Sequence, residues 1–229
     1  MTNDAPSDLV PTTAFLMYSV FRAATPLPFG DDRAALADQL LAELEQIDEL
    51  TIRGWYDVSG YRADADIMVW WWGPNPDALQ QAYHAVLASE LGNHLIPVWS
   101  QMGTHRQAEF NAAHIPSFLE GRDPERYLCI YPFVRSYDWY LLPDEERSTM
   151  LRDHGMAAKD YKDVLPNTVA SFGLGDYEWL LGFEASDLNR IVDLIRTLRD
   201  TKARRHVRLE TPFYTGQRAP LGEILSRLP

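Results

Sequence analysis

The spacing of apolar residues alternates along the chain between a strand-like period of two and a helical period. Residues 14–21 form an apolar, β-branched run between Pro11 and Pro26, which predicts a strand. Asp31 or Asp32 can then cap a helix. That helix is indicated by apolar residues at helical spacing, namely Ala35, Leu36, Leu40, Leu41, Leu44 and Ile47.

The rest of the first half extends this order to β-α-β-β-α-β. Strands are predicted at residues 52–59 and 66–72. A second helix is predicted to begin at Asn75-Pro76, because proline is favoured in the first turn of a helix. Residues 95–102 then form the fourth predicted strand.

The second half repeats this order after a polar connector around residues 121–124. Its predicted strands are residues 127–134, 168–172, 178–183 and 204–209, and its predicted helices are residues 143–161 and 186–199. A local echo accompanies the shared order, since YSVFR at 18–22 resembles YPFVR at 131–135. The repeat predicts two fused ferredoxin-like halves, each a split βαβ unit.

The predicted boundaries are a flexible tail at residues 1–12, an N-terminal half at 13–120 and a C-terminal half at 121–229. Each ferredoxin-like unit carries its helices on one face of an antiparallel sheet, so the other face must be buried. Two such sheets can bury these faces against each other. The fold class expected is α+β, a dimeric α+β barrel-type domain pair with room for a cavity between or below the sheets.

Composition favours a small-molecule partner. The 229 residues carry a formal net charge of −12 and no long run of Lys or Arg, so nucleic acid is not an expected partner. The single cysteine, Cys129, excludes a disulfide framework and fits a reducing cytoplasm. No apolar run approaches the roughly 20 residues of a membrane span, and residues 1–12 lack the pattern of a signal peptide.

Two of the six histidines are candidates for chemistry, although none is spaced for a helical zinc site. His154 lies on the inward stripe of the predicted helix at 143–161. It is either a core histidine satisfied by one hydrogen bond or a neutral proximal ligand for a haem iron. His114, at the connector between the halves, is either a solvated loop residue or a base that takes a proton from peroxide.

Two aromatic residues also have two interpretations each. Tyr131 and Trp139 either pack in the core or serve as redox groups beside an oxidising centre. Pro132 within the predicted strand argues for a sheet edge or a bulge there.

Taken together, these motifs resemble a known family. Tyr-Pro-x-x-Arg at 131–135, the helix with His154-Gly155, the PFYTG ending at 212–216 and the doubled element order are similar to the chlorite dismutase superfamily. Within it, they resemble the coproheme decarboxylases of actinobacterial type. The resemblance covers about residues 14–225.

The resemblance implies a porphyrin enzyme of haem biosynthesis. Iron coproporphyrin III (coproheme) would bind in the C-terminal half with His154 as its proximal ligand, in a cytoplasmic homopentamer. Hydrogen peroxide would be the oxidant, and His114 the distal base. Tyr131 would abstract a hydrogen from a propionate, so that CO₂ leaves and a vinyl group remains. A second round, after a monovinyl intermediate, would give haem b.

Further residues follow from the same resemblance. Coproheme carries four carboxylates, so cations are needed around it. Arg135 matches a cationic position of the family motif, Arg204 is assigned to the same task, and Trp139 belongs to the porphyrin pocket. A transient contact with the ferrochelatase of the pathway is also expected.

Alternative functions stay open on the sequence. Chlorite-degrading relatives place a distal Arg about a dozen residues beyond the proximal His, whereas no Arg occurs here between Arg152 and Arg190. A chlorite dismutase-like enzyme is therefore the second choice. A non-catalytic porphyrin carrier or sensor, and a barrel that binds an unrelated small molecule, are further alternatives.

Overall fold

The structure is a computed structural model that describes residues 13–28, 30, 32–106 and 115–229. The predicted tail at 1–12 and His114 lie outside the described residues. The strands are β1 (Thr13–Ala23), β2 (Thr51–Asp57), β3 (Ile67–Gly73), β4 (Leu95–Arg106), β5 (Tyr127–Arg135), β6 (Leu165–Ala170), β7 (Trp179–Ala185), β8 (Val207–Leu209) and β9 (Tyr214–Arg218). The helices are α1 (Asp32–Leu44), α2 (Pro76–Ala88), α3 (Asp144–Ala157), α4 (Leu188–Arg199) and α5 (Leu221–Arg227).

The strands form one sheet that closes on itself. The order is β7-β6-β4-β1-β3-β2-β9-β5-β8, and β7 also pairs with β5, so all strands but β8 form a ring. The first half supplies β4-β1-β3-β2, the 4-1-3-2 order of a ferredoxin-like unit. The second half repeats it, with β8 and β9 sharing the place of the fourth strand. The α+β class and the two ferredoxin-like halves are thereby confirmed.

Two seams join the halves into the ring. At one seam, Thr104 of β4 pairs with Ala170 of β6. At the other, Tyr56 of β2 pairs with Arg218 of β9. Both pairings are antiparallel, so every strand of the ring has a neighbour on each side and the barrel presents no open edge.

Residue alternation along the strands separates the barrel interior from the helix-covered faces. In β1, Leu16 and Tyr18 point into an interior core, whereas Met17 and Phe21 pack toward α1 and α2. Helix α5 belongs to that same outer core of the first half. The residues of α5 buried there are Leu221, Ile224 and Leu225.

A buried ion pair joins the two halves in the barrel interior. The Arg53 guanidinium of β2 lies 2.9 Å from a Glu184 carboxylate oxygen of β7, and both side chains are buried. Asn167 donates its amide N–H to Glu184 at 3.1 Å, and Arg53 lies 5.0 Å from the Trp70 ring centroid. These contacts provide the partners that a buried charge requires.

The predicted elements of the second half differ from the structure in three places. Strand β6 begins at Leu165 rather than 168, because Pro166 lies in a part of β6 that pairs with β7 alone. Helix α3 ends at Ala157, before the predicted end at 161. The predicted last strand at 204–209 is a 3-10 helix, Lys202–His206, followed by the three-residue β8.

Of the two settings expected for Pro132, a sheet edge or a bulge, the edge is not found, and a register shift follows between Val134 and Arg135. Strand β5 pairs with β7 along one side and with β9 and then β8 along the other. Pairing with β9 ends at Ile130 and pairing with β8 begins at Val134. Pro132 falls in this gap, so its missing N–H interrupts no ladder on that side.

Candidate functional site

A cavity lies between the outer face of the second-half sheet and helices α3 and α4. Its volume is about 1010 Å³, and its wall includes Tyr131, Arg135, Trp139, His154 and Arg204. The structure therefore brings together five of the six predicted site residues. His114, the sixth, lies outside the described residues.

His154 lies on the cavity-facing side of α3, together with Arg147, Leu151 and Gly155. These positions follow helical spacing, so they share one face. Met150 packs beside them against Trp139. The inward stripe on which the prediction rested is therefore present, although it is mixed in polarity.

Hydrogen bonding fixes the tautomer of His154. Its Nδ1 lies 3.1 Å from the Thr201 hydroxyl oxygen. That hydroxyl donates its single hydrogen to the Leu198 carbonyl oxygen at 2.9 Å, so it can only accept from His154. The proton of the neutral ring is therefore on Nδ1. The lone pair on Nε2 is available to a metal, as required of an axial ligand.

The surroundings of His154 favour the neutral ring. Burial lowers its pKa below the usual value of 6.5, and the nearby Arg135 guanidinium lowers it further. A neutral imidazole whose Nδ1–H is held by a hydroxyl is a suitable ligand for a porphyrin iron. Within the described chain, no group of three or more His, Cys, Asp or Glu is arranged to hold a metal. A porphyrin that supplies its own four nitrogens needs only this one protein ligand.

Tyr131 is buried on β5 and faces the cavity. Its ring stacks on Phe213 with centroids 4.4 Å apart and lies 6.2 Å from Phe183. Burial raises the pKa of the phenol, and Glu210 and Cys129 raise it further. Among the described residues, no hydrogen-bond partner is found for its hydroxyl group. The phenol is thus rigidly placed, and its proton has no acceptor in this part of the protein.

Arg135 places a positive charge at the cavity wall, and the carboxylates of Glu178 and Glu210 act on it through space. Its guanidinium lies 4.1 Å from the Trp139 ring centroid and 4.8 Å from that of Phe133. Burial lowers the pKa of Arg135, and no ion pair joins it to a carboxylate of the described chain. A half-buried cation held on aromatic faces is suited to an anionic ligand.

The cavity is cationic although the protein is acidic. Among the described residues its wall carries five arginines and one glutamate, against a net charge of −12 for the chain. The arginines are Arg135, Arg147, Arg152, Arg199 and Arg204. This formal excess of four positive charges equals the number of carboxylates on coproheme.

Arg204 differs from its prediction. It lies in the 3-10 helix Lys202–His206 rather than at the start of a strand, and its guanidinium pairs with Glu210. Arg199 pairs with the same carboxylate. Arg204 therefore lines the cavity as part of a network, while Arg135 is the freer cation.

The sheet side of the cavity holds no arginine in β6. Thr168, Val169 and Ala170 of β6 line the cavity, and Leu181 and Trp179 of β7 lie beside them. The stretch about a dozen residues beyond His154, residues 164–169, contains no arginine.

Sequence reasoning missed Thr201, Arg147, Arg199 and Glu210. One signal was available for Arg147, because it lies seven positions before His154 and so shares its helix face. Thr201, Arg199 and Glu210 reach the cavity only through the packing of α4 and the segment after it.

Comparison with known proteins places the chain in a family. A family model described as chlorite dismutase matches residues 33–219. The chain belongs to the chlorite dismutase family.

A relative with high sequence identity gives a more specific comparison. The protein named coproheme decarboxylase from Mycolicibacterium smegmatis is 54% identical over 221 residues, which cover 95% of each chain. Among solved structures, a double mutant of chlorite dismutase from Candidatus Nitrospira defluvii matches with a TM-score of 0.84 and 24% identity, covering 96% of this chain and 98% of that one. The imidazole complex of the same enzyme matches with a TM-score of 0.81 and 24% identity, covering 93% and 94%. At this identity the structural matches show the fold.

Proposed function

We propose that this chain is a coproheme decarboxylase. It uses hydrogen peroxide to convert two propionates of iron coproporphyrin III into vinyl groups and so produces haem b through a monovinyl intermediate. The observation that carries the proposal is the meeting of Tyr131, His154 and an excess of arginines at one cavity. The relative that shares 54% of its residues bears the same name.

The cavity residues suit the substrate. The volume of about 1010 Å³ is at the upper end of ligand pockets. His154 would ligate the iron through Nε2 from the α3 side, and the arginines would bind the four propionates through charge-assisted hydrogen bonds. Haem b retains only two carboxylates, so the product engages fewer of these cations than the substrate does. Loss of charge on the ligand would therefore favour product release.

Tyr131 is proposed to carry the hydrogen abstraction. The bound porphyrin, with peroxide, supplies the oxidising equivalents and is itself the substrate. Tyr131, once oxidised, takes a hydrogen atom from the β-carbon of a propionate and is restored to a phenol. The propionate then loses CO₂ and a second electron to become a vinyl group. One peroxide is reduced to two waters for each propionate. Because no described side chain accepts the Tyr131 proton, a propionate of the substrate would take it when the phenol is oxidised.

Other elements of the proposal rest on sequence resemblance. We propose His114 as the base that takes a proton from peroxide. Residues 13–120 and 121–229 are proposed as the two halves, and a cytoplasmic homopentamer as the assembly, with transient contact to a ferrochelatase. The single buried cysteine, Cys129, fits a reducing compartment. No helix in the described part of the chain has the length and apolar character needed to cross a bilayer.

Replacing Tyr131 by Phe tests the reaction. Ferric coproheme is titrated into the protein and followed by its Soret band, and peroxide is then added while mass spectrometry follows successive losses of CO₂. Tyr131→Phe should bind coproheme almost unchanged and fail to decarboxylate it. Tyr161→Phe is the matched control, because Tyr161 packs in the same hydrophobic cluster but bonds to Thr197 and does not line the cavity.

The outcomes separate the alternatives. Two CO₂ losses in Tyr131→Phe would refute the mechanism. Coproheme binding without any decarboxylation by the unmodified protein would indicate a carrier or sensor. The absence of a Soret shift would indicate that the cavity binds a different molecule.

A further inference from the structure

Besides Tyr131, the cavity wall contains a second tyrosine, Tyr140, in a different setting. Its hydroxyl donates a hydrogen bond to a Glu178 carboxylate oxygen at 2.9 Å and accepts one from the Trp179 indole N–H at 3.1 Å. It lines the cavity and is 41% exposed. We propose that Tyr140 and Glu178 form a proton-coupled redox site that takes up oxidising equivalents which the substrate does not consume. The source of these equivalents rests on the proposed function.

The acceptor carboxylate is held in place. The same Glu178 oxygen that accepts from Tyr140 also accepts from the backbone N–H of Arg135 at 2.8 Å. Glu178 immediately precedes β7, and its carbonyl accepts from the Ser171 N–H at 2.7 Å. The backbone N–H of Arg135 in β5 therefore holds the carboxylate beside the phenol, and Ser171, which directly follows β6, holds the backbone of Glu178.

A phenol is oxidised readily only when its proton can leave with the electron, because the phenol radical cation is a strong acid. Here one electron leaves the Tyr140 ring and reduces the oxidant derived from peroxide. The hydroxyl proton moves along the existing hydrogen bond to Glu178. The products are a neutral tyrosyl radical and a neutral carboxylic acid, so a partly buried negative charge is removed in the step.

The ground state of this pair is a protonated phenol. Burial raises the pKa of Tyr140 to about 12, and the hydrogen bond to Glu178 contributes to the increase. Phenolate is therefore absent at neutral pH. Proton transfer to Glu178 accompanies electron loss rather than preceding it.

Two other oxidisable side chains of the cavity wall, Trp139 and Tyr131, are less suited to this task. Trp139 lies under the Arg135 guanidinium at 4.1 Å, and removing an electron from it would create a second positive charge beside the first. Tyr131 has no acceptor among the described residues, so its oxidation depends on a propionate of the bound ligand. Tyr140 has its own acceptor in Glu178, so it can take up oxidising equivalents that the bound ligand does not consume.

Aromatic contacts connect Tyr140 to Phe133 on the sheet side of the cavity. Phe133 stacks near Trp179 with centroids 6.1 Å apart, and Trp179 donates to the Tyr140 hydroxyl. Phe172 contacts both rings, at 5.4 Å from Trp179 and 6.0 Å from Tyr140. The exposed part of Tyr140 lets a soluble thiol or ascorbate-type reductant return the electron, and Glu178 returns the proton.

The first experiment needs no porphyrin. The ligand-free protein is oxidised by photo-generated ruthenium tris-bipyridine in the presence of a nitroso spin trap, and peptide mass spectrometry locates the adducts. Tyr140 should be trapped ahead of Tyr137, although Tyr137 is 77% exposed. The Tyr137 hydroxyl accepts from Arg208 at 2.8 Å, so it has a cation rather than a carboxylate as its partner.

Glu178→Gln removes the acceptor while preserving the size of the side chain. Trapping at Tyr140 should fall by on the order of a hundredfold, at the lower end of what a positioned base contributes. The proposal would be overturned if the yield of adduct followed solvent exposure, with more adduct at Tyr137 than at Tyr140, and if Glu178→Gln had no effect.

The second experiment uses the protein loaded with haem b and exposed to peroxide. Electron paramagnetic resonance should show a tyrosyl radical that is lost in Tyr140→Phe and retained in Tyr137→Phe. Tyr140→Phe should also bleach its haem faster and accumulate oxidation at Trp139. An unchanged radical in Tyr140→Phe would refute the role. If the protein binds no porphyrin, the proposed function fails while the ligand-free result stands; if decarboxylation proceeds but Tyr140 is not trapped, only this inference fails.

Discussion

Replacing Thr201 by Val removes the only acceptor that the structure provides for the His154 ring N–H. The hydroxyl oxygen lies 3.1 Å from Nδ1, and its own hydrogen is donated to Leu198 at 2.9 Å. Valine has the same shape but offers a methyl group instead of the oxygen. The half-buried Nδ1–H then has no partner, and the ring is no longer held in the tautomer that leaves Nε2 free.

Two magnitudes follow from this loss. An unsatisfied buried donor costs about 1–3 kcal/mol, so the ligand-free protein should be less stable by an amount at the lower end of that range, since His154 is only partly buried. Removal of a hydrogen-bond partner behind a metal-binding histidine lowers affinity by roughly 10- to 100-fold. Thr201→Val should therefore bind ferric coproheme more weakly by that factor.

Three measurements examine the substitution. Urea unfolding gives the change in stability, a Soret titration gives the coproheme affinity, and NMR of the ring nitrogens of the ligand-free protein reports the tautomer. Thr201→Ser should restore all three because it retains the hydroxyl. Thr197→Val is the matched control, since the Thr197 hydroxyl bonds to Tyr161 rather than to His154. If Thr201→Val kept the unmodified affinity and the Nδ1–H tautomer, the assignment of Thr201 as the partner of His154 would be wrong.

Two further predictions concern charge. Arg135→Leu should raise the pKa of His154 toward 6.5 because a neighbouring cation is lost. NMR titration of the ligand-free protein measures this, and Arg147→Leu, whose cation is paired with Asp144, should leave the pKa where it is. The unfolded chain protonates His154 near pH 6.5, whereas the lowered pKa keeps the ring neutral in the folded protein. The folded protein is therefore fully stable above that pH and loses stability below it. Arg135→Leu should reduce this loss. Separately, Glu184→Leu leaves the buried Arg53 guanidinium unpaired and should lower the free energy of unfolding in urea by about 3–5 kcal/mol. The double variant Arg53→Met, Glu184→Leu should recover most of that stability. A loss below about 1 kcal/mol in Glu184→Leu would contradict a buried pair.

The order of elements could be predicted because the period of apolar residues is a local property of the chain. Strand β5 and helix α4 follow such runs closely. The closure of the sheet is different, because Tyr56 and Arg218 meet across most of the sequence and neither residue signals the pairing. Strand β8 is three residues long, which is too short for alternation to be recognised.

The candidate site likewise contains residues that the sequence could indicate and residues that it could not. His154 could be placed on an inward helix face from its spacing, and Tyr131 and Arg135 from a motif within one strand. Pairing between side chains is a tertiary matter, so the sequence did not reveal that Arg204 shares Glu210 with Arg199. The hydroxyl of Thr201 likewise gains its role only when the segment after α4 folds back onto α3.

Helix α5 makes the two halves differ in whether the space outside the sheet is filled. In each half a sheet and its helices enclose a space on the outside of the barrel, as expected for a duplicated unit. In the first half, Leu221, Ile224 and Leu225 of α5 lie in that space with Leu36 and Leu40 of α1. Helix α5 therefore fills the space between sheet and helices in the first half. The corresponding space of the second half stays open as the cavity.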